Sequence, residues 1–418
     1  MSRRLKVLIS AYAVSPVRGS EPGMGWGWVL AAAREHDVWV ITEADRFRDE
    51  VEAGLEAHPE LREHLSFHYV PRARHDRLRR LWPPSYYWFY AAWQREAKAL
   101  AQELHAAHGF DLVHQLNLVG YREPGYLYEL GLPFVWGPVG GLVQAPWRFL
   151  PVMGVRGGGY HLGKNAWNEL DLRLRARPRR AARAAAGHLI AATRGNAERI
   201  QRAWGVSAEV VCEVGPPDAL DVTPERRSPG EPLRVVWSAG HVHGKALGLL
   251  LRALAQVPAS VAMTAHILGD GPKTREWQRL AARLGVDARC QWHGRLPRSE
   301  AVAVMRRGHV MVITSLADLT STVLLEALSS ALPVVALDHC GFTDVVDDTC
   351  GLKLAVDTPG QVVADLAAAL LRLERDETAR LALAHGARAR AKDFSWDRKA
   401  ERLAEIYRSA VAAGPGPP

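Results

Sequence analysis

The chain has 418 residues, 48% hydrophobic and 23% charged, with a mean hydropathy of -0.13. At roughly 150 residues per domain this predicts two or three packed domains. It excludes disordered, collagen-like and coiled-coil readings of the whole chain. A net charge of +8 and a pI near 9.4 attract polyanions or anionic membrane but say nothing of fold. No apolar run approaches the ~18 residues of a spanning helix. The residues before Lys6 lead straight into a strand, not a leader peptide, and Cys212, Cys290, Cys340 and Cys350 lack C-x-x-C spacing. Both features suit a reducing cytoplasm.

Strands and helices alternate from the start. Lys6–Tyr12 predicts a buried strand, residues 19–27 a glycine-rich loop, and Trp28–Arg34 the beginning of a helix. Val38–Thr42, Leu65–Val70, Asp111–Gln115, Pro133–Trp136 and Leu189–Thr193 continue as strands. Gly215–Pro232 is proline-rich without apolar periodicity and predicts a linker. The pattern then restarts with strand Leu233–Ser238, helix Leu247–Gln256 and strand Ala262–Leu268. Strands Val310–Thr314 and Pro333–Leu337 follow, with helix Thr322–Ser330 between them. Such alternation predicts an α/β protein of two Rossmann-like domains, each a parallel sheet under helices, facing each other across a cleft. The predicted boundaries are 1–215, a linker at 216–232, a second domain at 233–393, a helix at 394–413 returning to the first domain, and a disordered tail at 414–418.

The basic excess is clustered. Arg72, Arg74, Arg77, Arg79 and Arg80 precede Trp82, Tyr86, Tyr87, Trp88, Phe89, Tyr90 and Trp93. A second group holds Arg173, Arg175, Arg177, Arg179, Arg180 and Arg183. No recognition motif accompanies them, which argues against nucleic acid. Arginines beside Trp and Tyr predict a face for an anionic membrane. The plainer reading is a solvated arginine surface over a buried aromatic core.

Two glycine segments invite a phosphate reading. Gly23, Gly25 and Gly27 lie too far past the first strand, and are wrongly spaced, for the dinucleotide fingerprint. Gly240-His-Val-His-Gly-Lys-Ala246 is one residue short of a P-loop, with Ala246 where a hydroxyl would ligate magnesium. What remains is general: glycines let backbone N–H groups approach an anion, and Lys245 adds charge beside them. Both segments suit a diphosphate. Tight turns with a surface lysine are the plainer reading.

Asp318 precedes a helix whose N-terminus falls at Thr320, Ser321, Thr322 and Val323, and Glu326 lies one turn inside. Free amides and the helix dipole make that end an anion site. Acids on either side of it suit vicinal hydroxyls. A sugar nucleotide presents ribose, diphosphate and hexose in that order, matching acid, helix end, acid. Otherwise Asp318 is a cap and Glu326 a surface residue, a reading that Leu324, Leu325, Ala327 and Leu328 undermine.

The run from Asp318 to Asp338, with Glu326-Ala and Pro333-Val-Val-Ala336, resembles the signature of retaining glycosyltransferases of family four, which have the GT-B fold. Val236–Lys245, Gly269-Asp-Gly-Pro272, Trp292–Pro297 and Phe394-Ser-Trp-Asp397 resemble further landmarks, as do Gly19–Trp26 and Trp136–Gly141 in the first half. The resemblance implies a nucleotide-sugar donor, no metal or other cofactor, and a glycan or lipid-linked acceptor. It implies that Gly23, Gly25, Gly240, His241, Gly269 and Lys245 surround the diphosphate, with the amides of Thr320, Ser321, Thr322 and Val323. Glu326 would take the ribose, Asp318 the hexose, Leu296 the base through its main chain, and His114 would face the donor sugar beside Lys245 and Asp318.

Two positions depart from the family. Asp318 replaces the usual Glu, and His241 the usual Arg, which makes phosphate binding pH-sensitive if His241 takes part. The alternatives are an epimerase or phosphorylase on the same fold, a silent donor-binding partner subunit, or a transferase with a soluble acceptor. The expected location is cytoplasmic, at the inner face of the membrane.

Overall fold

The computed structural model describes residues 3–72, 86–217 and 222–416. They form two compact units. The first holds the chain up to Leu142, then Asp171–Gly215, then the chain from Trp396 onward. The second holds Val143–Leu170 and Pro216–Ser395.

The first unit is built on β1 (Lys6–Ala11), β2 (Asp37–Glu43), β3 (Leu65–Val70), β4 (Leu112–Asn117), β5 (Phe134–Val139), β6 (Leu189–Ala191) and β7 (Glu209–Val210). Their order is β3-β2-β1-β4-β5-β6-β7, and every pairing is parallel. β4 and β5 are buried at every position, as strands covered on both faces must be. The closing helix, Trp396–Ala413, packs on helix Ser20–Glu35. The Trp396 ring fills the space above Gly27 and Gly215, where an added Cβ would come within 2.2 and 2.4 Å of it.

The second unit contains β8 (Leu233–Ser238), β9 (Met263–Leu268), β10 (Cys290–Gly294), β11 (Val310–Ile313), β12 (Val334–Leu337) and β13 (Gly351–Leu354). The order is β10-β9-β8-β11-β12-β13, again all parallel. Its core joins Val235, Trp237, Leu250, Ile267, Val312 and Leu366, with Phe149 and Met153 from the earlier segment packed among them. The α/β reading with two parallel sheets holds.

Three local differences have physical causes. The helix expected from Trp28 begins at Ser20, so Gly23, Gly25 and Gly27 are helical and not a loop. Segment 143–170 was expected in the first domain, yet it clusters with the second unit. Its helix, Gly154–Leu174, is masked in the sequence by five glycines, each costing about 1 kcal/mol of helix propensity. The stretch expected to be a linker is tied to the second unit at its middle: the Arg227 backbone N–H donates to Glu377 Oε1 at 2.8 Å, and Arg380 Nη2 donates to the Glu225 carbonyl at 2.7 Å.

Candidate functional site

Strand order in the second sheet reverses between β8 and β11, and loops leaving the carboxyl ends of such neighbours are where α/β sheets bind ligands. The two loops are sewn together. Leu316 N–H donates to the Gly244 carbonyl at 2.8 Å, and Thr314 Oγ1 to the Lys245 carbonyl at 2.8 Å. Trp237 Nε1 in turn donates to Thr314 Oγ1 at 3.0 Å. Lys245 Nζ thereby meets the Asp318 carboxylate, forming an ion pair whose side chains are 19% and 20% exposed. That exposure leaves the pair open to a charged ligand.

Helix Thr322–Ser329 starts at Ser321, whose side chain makes no capping bond, so its first-turn amides are not spent on a cap. Gly341 presses on the turn before it. A Cβ there would lie 2.1 Å from Thr320 Oγ1, and Gly341 N–H donates to the Leu319 carbonyl at 3.0 Å. Glu326 is buried and accepts from Arg298 Nε at 2.7 Å. Leu296, half-buried, lies two residues before that arginine. Gly240 faces open space, with no atom within 4 Å of an added Cβ. Gly269, at φ +110, lets the Ala239 carbonyl within 1.9 Å of the same position. Lys245, Asp318, Gly240, Thr320–Val323 and Glu326 thus all belong to one unit and to its switch-point end.

Other expected residues are placed differently. His241 is buried among Trp237, Trp277 and Trp292, with ring centroids 5.6, 5.3 and 6.0 Å away. Its Nδ1 bonds Thr274 Oγ1 at 2.7 Å, and burial lowers its pKa. It braces the Gly269–Lys273 turn from inside and does not present a titrating charge to a phosphate.

His114 is fully buried in the first unit. Its Nε2 donates to the Gly137 carbonyl at 2.8 Å, which leaves Nδ1 to accept from Tyr407 Oη at 2.7 Å. Burial pushes its pKa down to about 4. With both nitrogens engaged inside the core, it cannot face a sugar. Gly25 is likewise turned inward, where an added Cβ would lie 2.3 Å from the Ala13 carbonyl, and at half-buried Gly23 it would lie 2.5 Å from that of Arg18. They are glycines because the chain's own backbone is there.

The arginine clusters are described only in part, and Arg173, Arg180 and Arg183 of the second are exposed. Arg74, Arg77, Arg79, Arg80 and Trp82 lie outside the described residues. Arg72 pairs with Glu43 at 3.2 Å, and Tyr90 and Trp93 are buried. Arg175 and Arg177 are tied to Asp171 and Glu123.

Two contributors went unforeseen. Arg298, on Glu326, carried no motif. His161, buried in helix Gly154–Leu174, sets its Nε2 3.5 Å from an added Cβ at Gly244, beside Ala317. No local sequence signal joins positions so far apart.

The family described as glycosyl transferases group 1 matches residues 233–376. The D-inositol 3-phosphate glycosyltransferase of Corynebacterium kroppenstedtii is 31% identical over 46% of this chain and 44% of its own length. The protein of the same name from Saccharomonospora viridis is 29% identical over 71% of this chain and 74% of its own. The chain therefore spans about half the length of the first of these relatives and more of the second. Among solved structures, the lipopolysaccharide outer core galactosyltransferase WaaB superposes with a TM-score of 0.65 at 16% identity, over 97% of this chain and 99% of that one. HepE of Anabaena in complex with UDP gives 0.63 at 19%, over 97% and 100%. At these identities the structural likeness speaks for the fold.

Proposed function

With residues 233–376 a group 1 glycosyl transferase domain on a GT-B fold, we propose that the chain moves a hexose-type sugar from a UDP- or GDP-sugar to a glycan or lipid-linked acceptor. The observation that carries this is the Lys245–Asp318 pair next to the uncapped start of helix Thr322–Ser329. A diphosphate bound by the Ser321–Val323 amides would share Lys245 with Asp318, which then turns its free lone pairs to the hexose hydroxyls. Lys245 and the helix dipole stabilise charge as the nucleotide leaves, without a metal. Glu326, held by Arg298, has lone pairs left for ribose hydroxyls. Retention comes with the family resemblance: the acceptor attacks from the face the diphosphate leaves, and the departing phosphate takes its proton. HepE, with the same fold, has been solved with UDP and with UDP-glucose, which supports a nucleotide-sugar donor.

A second reading, transfer to a soluble phosphorylated polyol, is favoured by the relatives named D-inositol 3-phosphate glycosyltransferase. The test is a thermal-shift screen of nucleotide sugars, since a ligand that binds only the folded state stabilises it in proportion to the logarithm of its concentration over its dissociation constant. Stabilisation by one UDP- or GDP-sugar, lost in Lys245→Ala, supports the donor site. No stabilisation by any of them overturns it. Radiolabelled transfer to lipid extract or to inositol phosphate then decides the acceptor.

A further inference from the structure

Helix Gly154–Leu174 is amphipathic in the reverse sense. At about 100° per residue, Gly157, Gly158, His161, Asn165 and Asn168 fall on one side, and all are buried. Val155, Tyr160, Leu162, Trp167 and Leu170 fall on the other, exposed by 95, 66, 48, 57 and 51%. Trp147, in the turn before, is 52% exposed. Apolar residues on a protein surface are normally scattered singly, and a contiguous set marks something that binds there.

The helix cannot roll to hide them, because its polar side is locked. Asn165 clasps Ala145 in both directions, donating to its carbonyl at 2.8 Å and accepting from its N–H at 3.1 Å. Gly157 admits the His243 ring and Gly158 the Leu150 carbonyl, where added Cβ atoms would come within 2.5 and 2.6 Å. The fold therefore presents the apolar side outward by construction.

Its charge says what covers it. Arg156 lies among these apolar residues, and Lys164, also exposed, stands at the border between the two sides. Glu169 is the one acid between Val143 and Leu170, and it is half-buried, accepting from Gln144 Nε2 at 2.6 Å. Trp and Tyr rings suit the headgroup depth of a bilayer, and a border with more base than acid suits anionic lipid. A second copy is disfavoured, since a two-fold contact sets each patch against itself and brings like charges together. Among the described residues no helix is long and apolar enough to cross a membrane.

We propose that the outer face of this helix, around Tyr160, Trp167 and Leu170, is the surface by which the protein docks on an anionic bilayer. The proposal rests on the lipid-linked acceptor reading for its purpose. The inner side of the same helix covers the Gly244–Lys245 turn, so docking also fixes the donor loop relative to the lipid surface.

The experiment is co-sedimentation of the full chain with phosphatidylcholine vesicles, with and without phosphatidylglycerol, at low and high salt. The wild type should pellet with the anionic vesicles and release as salt screens the basic rim. Trp167→Ser with Leu170→Ser should lower that affinity about tenfold or more, with thermal midpoint and nucleotide-sugar stabilisation unchanged because both side chains are exposed. Arg156→Glu with Lys164→Glu should remove the salt-sensitive part. Wild-type binding that survives both pairs overturns this face while leaving a membrane-held acceptor standing. No binding to anionic vesicles at low salt overturns both. A concentration-dependent dimer that Trp167→Ser with Leu170→Ser abolishes would assign the face to a second copy instead. The donor-site reading is read separately, by nucleotide-sugar stabilisation.

Discussion

The two glycine segments make an instructive pair. Both Gly23–Gly27 and Gly240–Gly244 read as places where backbone approaches a phosphate. In the first unit, every one of these glycines meets the chain itself: Gly23 the Arg18 carbonyl, Gly25 that of Ala13, Gly27 the Trp396 ring. In the second, Gly240 meets nothing within 4 Å, and Lys245 stands at the end of the turn with Asp318. A glycine reports that something comes close. Whether that is a ligand or a neighbouring strand depends on residues far away in the sequence.

Mutations can break that contrast. The largest effect is expected from Lys245→Ala, which removes charge where the diphosphate leaves. Transfer should fall by about 10²–10³-fold, with the fold retained and unfolding free energy lowered by up to about 3 kcal/mol, since Asp318 is left mostly enclosed without its partner. Turnover near the wild-type rate would show the second segment to be as inert as the first.

Buried His114 of the first unit predicts an acid response of opposite character, in stability and not in turnover. The folded pKa of His114 is about 4, below the usual value near 6.5. Between those limits the unfolded chain takes up a proton that the folded chain refuses. The stability it contributes is therefore complete above pH 6.5 and is lost as pH falls toward 4, by up to about 3 kcal/mol. Denaturant titrations from neutral to acid pH should show this slope, flattened in His114→Gln. An unchanged slope in the variant would mean that His114 is protonated in the core.

Gly25→Ala and Gly240→Ala set the two segments directly against each other. The first drives a methyl group into the Ala13 carbonyl and should cost about 1–3 kcal/mol of stability. The second should leave the melting midpoint alone and weaken nucleotide diphosphate binding. Reversal of that pattern would exchange the two assignments. The smallest effect is expected from Glu326→Gln. It keeps the shape but loses the charge-assisted bond from Arg298, and nucleoside diphosphate affinity should drop about tenfold, measured by titration calorimetry. Equal affinity would take Glu326 out of the ribose site.

The switch-point residues were legible because their signal is local. Asp318, the helix starting near Thr322 and Glu326 lie within one loop and one turn, and Lys245 ends a strand-to-turn segment of fixed length. β8 reads from its Val235-Val236 run and β3 from the alternation of Leu65, Phe67 and Tyr69 with polar residues, whereas β10, Cys290–Gly294, offers no such pattern and β13, Gly351–Leu354, little more. His114 failed for a reason of pleat and packing: a histidine on a strand looks the same whether its ring points at a cleft or at a tyrosine near the far end of the chain. His241 failed similarly, since Trp292 reaches it only through the pairing of β10 with β9, and Trp277 from helix Thr274–Arg283.

By itself the sequence determined that two parallel α/β sheets form, where most of their strands run, and which two loops of the second sheet carry the lysine and the paired acids, because periodicity and helix-terminus chemistry act over a few residues. Only the tertiary structure decided that Gly25, His114 and His241 serve the core, that Arg298 holds Glu326, and that segment 143–170 joins the second unit with its apolar side outward. Those outcomes depend on which distant carbonyl, ring or carboxylate arrives within contact distance, and no local pattern of residues encodes that.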